Sequence, residues 1–236
     1  MSVNKYIGIN QRLPYGILNE FLKRYLHAGV ISREEILAEV LRVTAGENRA
    51  KKATMAIHHT LSRPKKILSF IEKSIGATTY EKLSEDDRKV VILCLVASAF
   101  PITYDLLCAI ATVLKVQEYV SKAFISQKIS ALYGSNRSTS LAIDALLPML
   151  IELGTLERVK TGVYKVGSQP IIMHPSVIEL YVATDISLSG SKSISLDETK
   201  HRSWFFFNQV ILSKNSKFKL LAITEGMVGG GYVSLD

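Results

Sequence analysis

The chain has 236 residues, enough for one large domain or two small ones, and its 47% apolar content supplies a real core. Charged residues make up 21%, and that balance excludes disorder for most of the chain. The formal net charge of +8 favours acidic partners, nucleic acid first and an anionic membrane surface second.

Leu13 to Ala28 carries Ile17, Leu18, Phe21, Leu22, Tyr25 and Leu26 at helical spacing, and Gly29 ends it. Ser32-Arg33-Glu34-Glu35 is a capping box that opens a helix through Ile36, Leu37, Val40, Leu41 and Val43. Asn48 to Ser74 is the most basic region, with Arg49, Lys51, Lys52, Arg63, Lys65, Lys66 and Lys73 set against Glu72 alone. Its apolar residues keep a helical rhythm, and Pro64 can begin a second helix. Charge runs are usually solvated faces. The sharper expectation is a DNA-contacting surface in which Arg49, Lys51, Lys52, Arg63, Lys65 and Lys66 add affinity without sequence preference.

Ser84-Glu85-Asp86-Asp87 caps the next helix, and its acidic first turn suits the helix dipole. Val90 to Leu114 is long and apolar enough to suggest a membrane span, but Pro101 and Asp105 sit in its middle. The segment therefore reads as two buried helices with a turn at Phe100-Pro101, the second starting at Thr103 or Asp105. Residues 116 to 124 continue the helical pattern, with a break near Lys115.

Ser126 to Val166 reads as helix, turn, helix and β-hairpin. Ile125, Ile129 and Leu132 mark the first helix, and Gly134 can stop it in a left-handed turn. The second helix carries Leu141, Ile143, Leu146, Leu147, Leu150, Ile151 and Leu153 and either kinks or breaks at Pro148. Leu156–Val159 and Val163–Val166 are strands joined by Lys160-Thr161-Gly162. This order is the outline of a winged helix whose second helix would enter a DNA major groove. Ser135, Asn136, Arg137, Ser138, Thr139 and Ser140 would meet phosphates or base edges at its start, and Lys160 and Lys165 would reach the neighbouring backbone. The same residue types also simply cap helices.

Beyond the hairpin, Pro175 to Val182 supplies one or two helical turns, and Ser187 to Ser195 reads as a flexible loop. Trp204 to Phe207 are packing residues rather than a platform for bases. Phe218–Thr224 and Gly231–Leu235 read as strands around a glycine-rich turn at Gly226 to Gly231, which lacks the Lys-Ser/Thr and following helix of a phosphate loop.

Catalytic chemistry is hard to find. His27, His58, His59, His174 and His201 have no metal-ligand spacing, and no nucleophile motif or convincing carboxylate pair occurs. Cys94 and Cys108 lie inside apolar runs and read as reduced thiols of a cytoplasmic protein. The N-terminus lacks the apolar core of a signal peptide. No catalytic residue, metal or cofactor is expected.

From about Leu13 to Tyr181 the chain resembles the BrxA family, a component of bacterial BREX phage-defence systems. The resemblance rests on a leading helical region, then SEDDRKVVILCLVASA, FPITYDLL and STSLAIDALLPMLIELGTLE with its hairpin. The tail beyond about Ser187 lies outside it. It implies a small, non-enzymatic DNA-binding protein that acts beside larger defence proteins.

The expected architecture is mainly α-helical. It comprises a bundle-like N-terminal part over 1–83, central helices and a winged helix-turn-helix over 84–182, and a small α+β extension with a hairpin over 183–236. The expected function is that of a DNA-binding accessory protein holding duplex DNA mostly by its phosphates. A protein–protein adaptor built on the same fold is the alternative, because the second helix of the turn carries Asp144 and Glu152 and no basic residue after Arg137. A peripheral membrane protein is a third reading, resting only on the apolarity of Val90–Leu114.

Overall fold

The computed structural model describes residues 6–212, 218–225 and 231–236. The expected glycine-rich turn lies, up to Gly230, outside the described residues.

The fold is mainly helical and carries two small antiparallel three-stranded sheets. Helix α6 (Glu85–Ala99) is central because it is apolar nearly all round, from Val90 to Ala97. Helices α1 (Tyr15–Ala28), α3 (Glu47–Thr60), α4 (Lys65–Ser74), α7 (Ile102–Leu114) and α10 (Pro175–Ser189) all pack on it. Ser84 Oγ accepts the Asp87 N–H at 3.0 Å, as the sequence predicts. Asp87 does more than face the dipole. It is buried, and its carboxylate accepts the N–H groups of Met173 and His174 at 3.1 Å each, tying the approach to α10 onto the start of α6.

In the N-terminal half, Gly29 ends α1 in the left-handed region at φ 72°. Ser32 caps α2 (Arg33–Val43) by accepting the N–H groups of Glu34 and Glu35. The short connection Thr44-Ala45-Gly46 turns α2 onto α3, and Gly46 sits at φ 92°. Ala50, Ala53 and Ala56 are buried on α3 and let the two helices approach closely. Helix α5 (Gly76–Lys82) closes this half against α1, where the buried Tyr80 hydroxyl donates to Asn19 Oδ1 at 2.8 Å.

Helices α6 and α7 meet at Phe100-Pro101 with a bend of 114°. Among the described residues no single helix is long and apolar enough to cross a membrane. Both halves of the apolar run are instead buried within the protein core.

After α7 come β1 (Val120–Ser121), α8 (Lys122–Tyr133), α9 (Arg137–Glu152), β2 (Leu156–Lys160) and β3 (Val163–Val166). The strands form a sheet in the order β1-β3-β2, with Val120 opposite Tyr164 and Leu156 opposite Val166. Several expectations change here. The segment 116–124, read as helical, yields a loop, strand β1 and the start of α8. Leu132 is exposed and Tyr133 takes the buried place. Gly134 has a positive φ of 87° but an extended ψ, so it turns the chain without forming a left-handed helical cap. Helix α9 runs unbroken through Pro148. The carbonyl deprived of its partner there belongs to Asp144, on the solvent side, where water can replace the lost bond.

Helix α10 is fifteen residues long rather than one or two turns, and it passes straight through residue 183, where a boundary is expected. Ser193–Ser195 is not a flexible loop but strand β4, paired with β6 (Gly231–Leu235), which pairs with β5 (Leu221–Glu225). The aromatic row packs, as expected. Trp204 stacks on Tyr181 with ring centres 4.9 Å apart, and the two exchange hydrogen bonds, Trp204 Nε1 to the Tyr181 carbonyl and Tyr181 Oη to the Trp204 carbonyl. Buried side chains from Ile9 to Val233 form one continuous hydrophobic core.

Candidate nucleic-acid interface

The α8–α9 turn is held by its own polar residues. Asn136 caps α9, with Oδ1 accepting the Thr139 N–H at 3.0 Å and Nδ2 facing the carbonyls of Tyr133 and Gly134. Thr139 is fully buried, and its hydroxyl donates to the Gly134 carbonyl at 2.8 Å. Thr139 therefore has no atom left for a ligand, contrary to the sequence reading, and Asn136 is occupied in fixing the turn. Ser135, Arg137, Ser138 and Ser140 are exposed. Arg137 is the first residue of α9, whose first turn contains no acid, so a cation stands at the positive end of the helix dipole. An anion placed there would relieve that repulsion.

The hairpin is fastened to the same corner. The Lys122 N–H donates to the Gly162 carbonyl at 2.8 Å, and the Lys122 ammonium pairs with Asp144 on α9. Lys165 faces Glu157 across the β2–β3 pair at 3.1 Å, so its charge is partly spent. Arg158 Nη2 donates to Thr161 Oγ1 at 3.1 Å and stiffens the turn. Lys160 is exposed, with no ion-pair partner among the described residues. Arg137 and Lys160, with Arg158 whose hydrogen bond is to a neutral hydroxyl, are cations of this face that make no ion pair among the described residues.

The second basic surface is the outer side of α3 and the corner leading into α4. Ala50, Ala53, Thr54, Ala56 and Ile57 turn inward, which leaves Arg49, Lys51, Lys52 and Met55 outward. Lys51 pairs with Glu47 at 2.6 Å, but both side chains are more than half exposed, so the pair restrains little. The Arg63 guanidinium lies 4.9 Å from the centre of the Tyr6 ring. Arg49, Lys52, Lys65 and Lys66 are exposed and make no ion pair among the described residues. Helix α3 packs on α6, whereas α8 and α9 pack on α7.

The sequence does not single out Lys122 or Arg158, and it offers His58 and His59 only as rejected metal ligands. Burial first, and then the Arg33 guanidinium, hold His58 below the usual imidazole range. Burial, Arg63, His58 and Arg33 do the same for His59. Adjacent histidines flanked by arginines were the available signal.

Burial pushes the Cys94 thiol up to about 12 and the Cys108 thiol up to about 11, so neither is a nucleophilic thiolate near neutrality. Among the described residues no group of three or more His, Cys, Asp or Glu side chains is arranged to hold a metal ion. No protein-family model, curated protein or solved structure matches the chain.

Proposed function

We propose that the chain is a DNA-binding accessory protein whose α7–β3 segment is a winged helix, with α9 presented to the major groove. The observation that carries this reading is the wiring β1-β3-β2. The short strand between the first and second helices closes the sheet against the far strand of the hairpin, which fixes the hairpin turn beside the start of α9. The net charge of +8 and the open cations of α3 and α4 add an attraction for phosphates that does not depend on sequence.

Most contacts in this proposal position the duplex. Arg137 is the one residue at the head of α9 able to grip a guanine edge, and Asp144 is neutralised by Lys122, so discrimination between sequences is weak. From the sequence resemblance to the BrxA family alone, we further propose that such a protein acts in a bacterial phage-defence assembly, beside larger proteins that act on the DNA.

One observation favours a protein–protein adaptor instead. The exposed surface of the α8–α9 unit includes Leu132 and Leu141. Competition between unrelated duplexes of equal length separates the readings. Duplex binding that an unrelated duplex competes away equally well is the expected result. Absence of binding at low salt transfers the α8–α9 surface to the adaptor reading.

A further inference from the structure

Behind the α3–α4 corner opens a cavity of about 410 Å³, between the α1–α2 connection and the start of α4. His58 and Lys65 line it, with Tyr25 on one side and the apolar walls of Val30, Ile31 and Leu61 around them. The corner is fixed by Ser62, whose hydroxyl donates to the His58 carbonyl at 2.7 Å. His58 Nδ1 is shut away from solvent without a hydrogen-bond partner, which leaves Nε2 as the ring nitrogen able to meet a ligand.

We propose that this cavity is a phosphate subsite, taking one phosphodiester group of a nucleic-acid strand between His58 and Lys65, and that filling it draws a proton onto His58. This rests on the nucleic-acid reading above. The charged groups acting on the two imidazoles are all cationic: Arg33 from α2, Arg63 from the α3–α4 corner, and the neighbouring imidazole. From α1, Tyr25 stays neutral, pushed up to about 12 by burial and by the Glu72 carboxylate of α4 beside it. Lys65 adds a further cation at the rim. Burial first, and then these cations, hold the free imidazoles below their usual range, and an oxyanion in the cavity opposes the cationic part of that effect.

The bound state favours charged His58 more than the free state does, so binding takes up a proton. Affinity is flat well above neutrality and rises as pH falls through the imidazole range.

The test uses the full chain and an arbitrary 20-base-pair duplex at constant ionic strength, from pH 8.5 to 5.5. Beside it, the His58 ring proton is followed by NMR against pH, with and without inorganic phosphate. The parent should gain roughly three- to tenfold in affinity as pH falls. His58→Gln should flatten most of that rise. Arg33→Gln, at an exposed position, should move the rise to higher pH, because it removes a cation that opposes protonation. A purely structural role for His58 would not produce that displacement. Inorganic phosphate should raise the His58 titration midpoint. If duplex binding persists with the same pH profile in both variants, the subsite is overturned and the DNA-binding reading stands. If no duplex binds but inorganic phosphate moves His58, the strand is overturned as the occupant and the cavity belongs to a free phosphate compound. If neither occurs, both readings fall.

Discussion

Asn136 and Arg137 are neighbours with opposite duties. Asn136 spends its amide on the turn, so Asn136→Ala should cost about 1 kcal/mol of stability, read as a lower denaturant midpoint. Arg137 touches nothing that holds the fold among the described residues. Arg137→Ala should leave the midpoint within about 0.5 kcal/mol and reduce the salt dependence of duplex binding by about one phosphate contact. A stability loss in Arg137→Ala as large as that in Asn136→Ala would reverse these roles. The histidines give a pH signature of their own. His58 and His59 titrate below the usual imidazole range when folded, so the unfolded chain binds their protons more readily. Without ligand, stability is therefore greatest above the unfolded imidazole value of about 6.5 and declines as pH falls through it toward the lower folded values. Thermal melts from pH 8 to 5 check this, and His58→Gln with His59→Gln should make the decline shallower. That residues 135–138 carry turn and cap chemistry was legible, because capping side chains bond two or three residues on, but not that Asn136 is the cap. The burial of Thr139 was not, because a threonine beside a cap looks the same whether its hydroxyl meets solvent or the Gly134 carbonyl.

Among the elements, those with strong local signals were readable and those made by distant partners were not. Ser32, Ser84 and the apolar period of α1, α2 and α6 announced those helices from residues within a few positions of one another. Strand β1 is two residues long and has no period to detect; it exists because β3 offers Val163 and Tyr164 for pairing. Helix α10 reads from sequence as ending at Val182, short of Asp185, yet it runs on to Ser189 and carries both Glu179 and Asp185. Both are buried and answered from far along the chain. Glu179 accepts the N–H groups of Lys219 and Leu220, and Asp185 accepts from Tyr104 Oη at 2.7 Å and pairs with Arg202 at 2.5 Å. Asp185 has no exposed surface, whereas the Arg202 side chain keeps 22% of its own. Arg202→Ala should leave an uncompensated buried carboxylate and cost about 3 kcal/mol, the lower end for a broken buried pair because Arg202 is only partly desolvated. A denaturant midpoint unchanged by that substitution would show that the Asp185–Arg202 pair does not hold the C-terminal segment.

For the whole molecule, the charge balance pointed to an acidic partner from the start, but composition could not say which cations remain open once the chain folds. The fold divides them. Lys51, Lys122 and Lys165 face carboxylates, while Arg49, Lys52, Lys65, Lys66, Arg137 and Lys160 make no ion pair among the described residues. Duplex affinity should therefore draw on two groups of contacts, one from α3–α4 and one from the α9–hairpin corner. The deciding measurement is duplex affinity across a salt titration for the parent, for Lys51→Glu with Lys52→Glu, and for Arg137→Ala with Lys160→Ala, each shown by melting to be folded. The account predicts that log affinity falls linearly with log salt, with a slope of about −4.5 to −6.3 for five to seven phosphate contacts. Each pair of substitutions should weaken binding, flattening that slope by about two for Arg137→Ala with Lys160→Ala and by about one for Lys51→Glu with Lys52→Glu, because Lys51 already faces Glu47. No binding by the parent at low salt, or binding by both variants indistinguishable from the parent at every salt concentration, would contradict it.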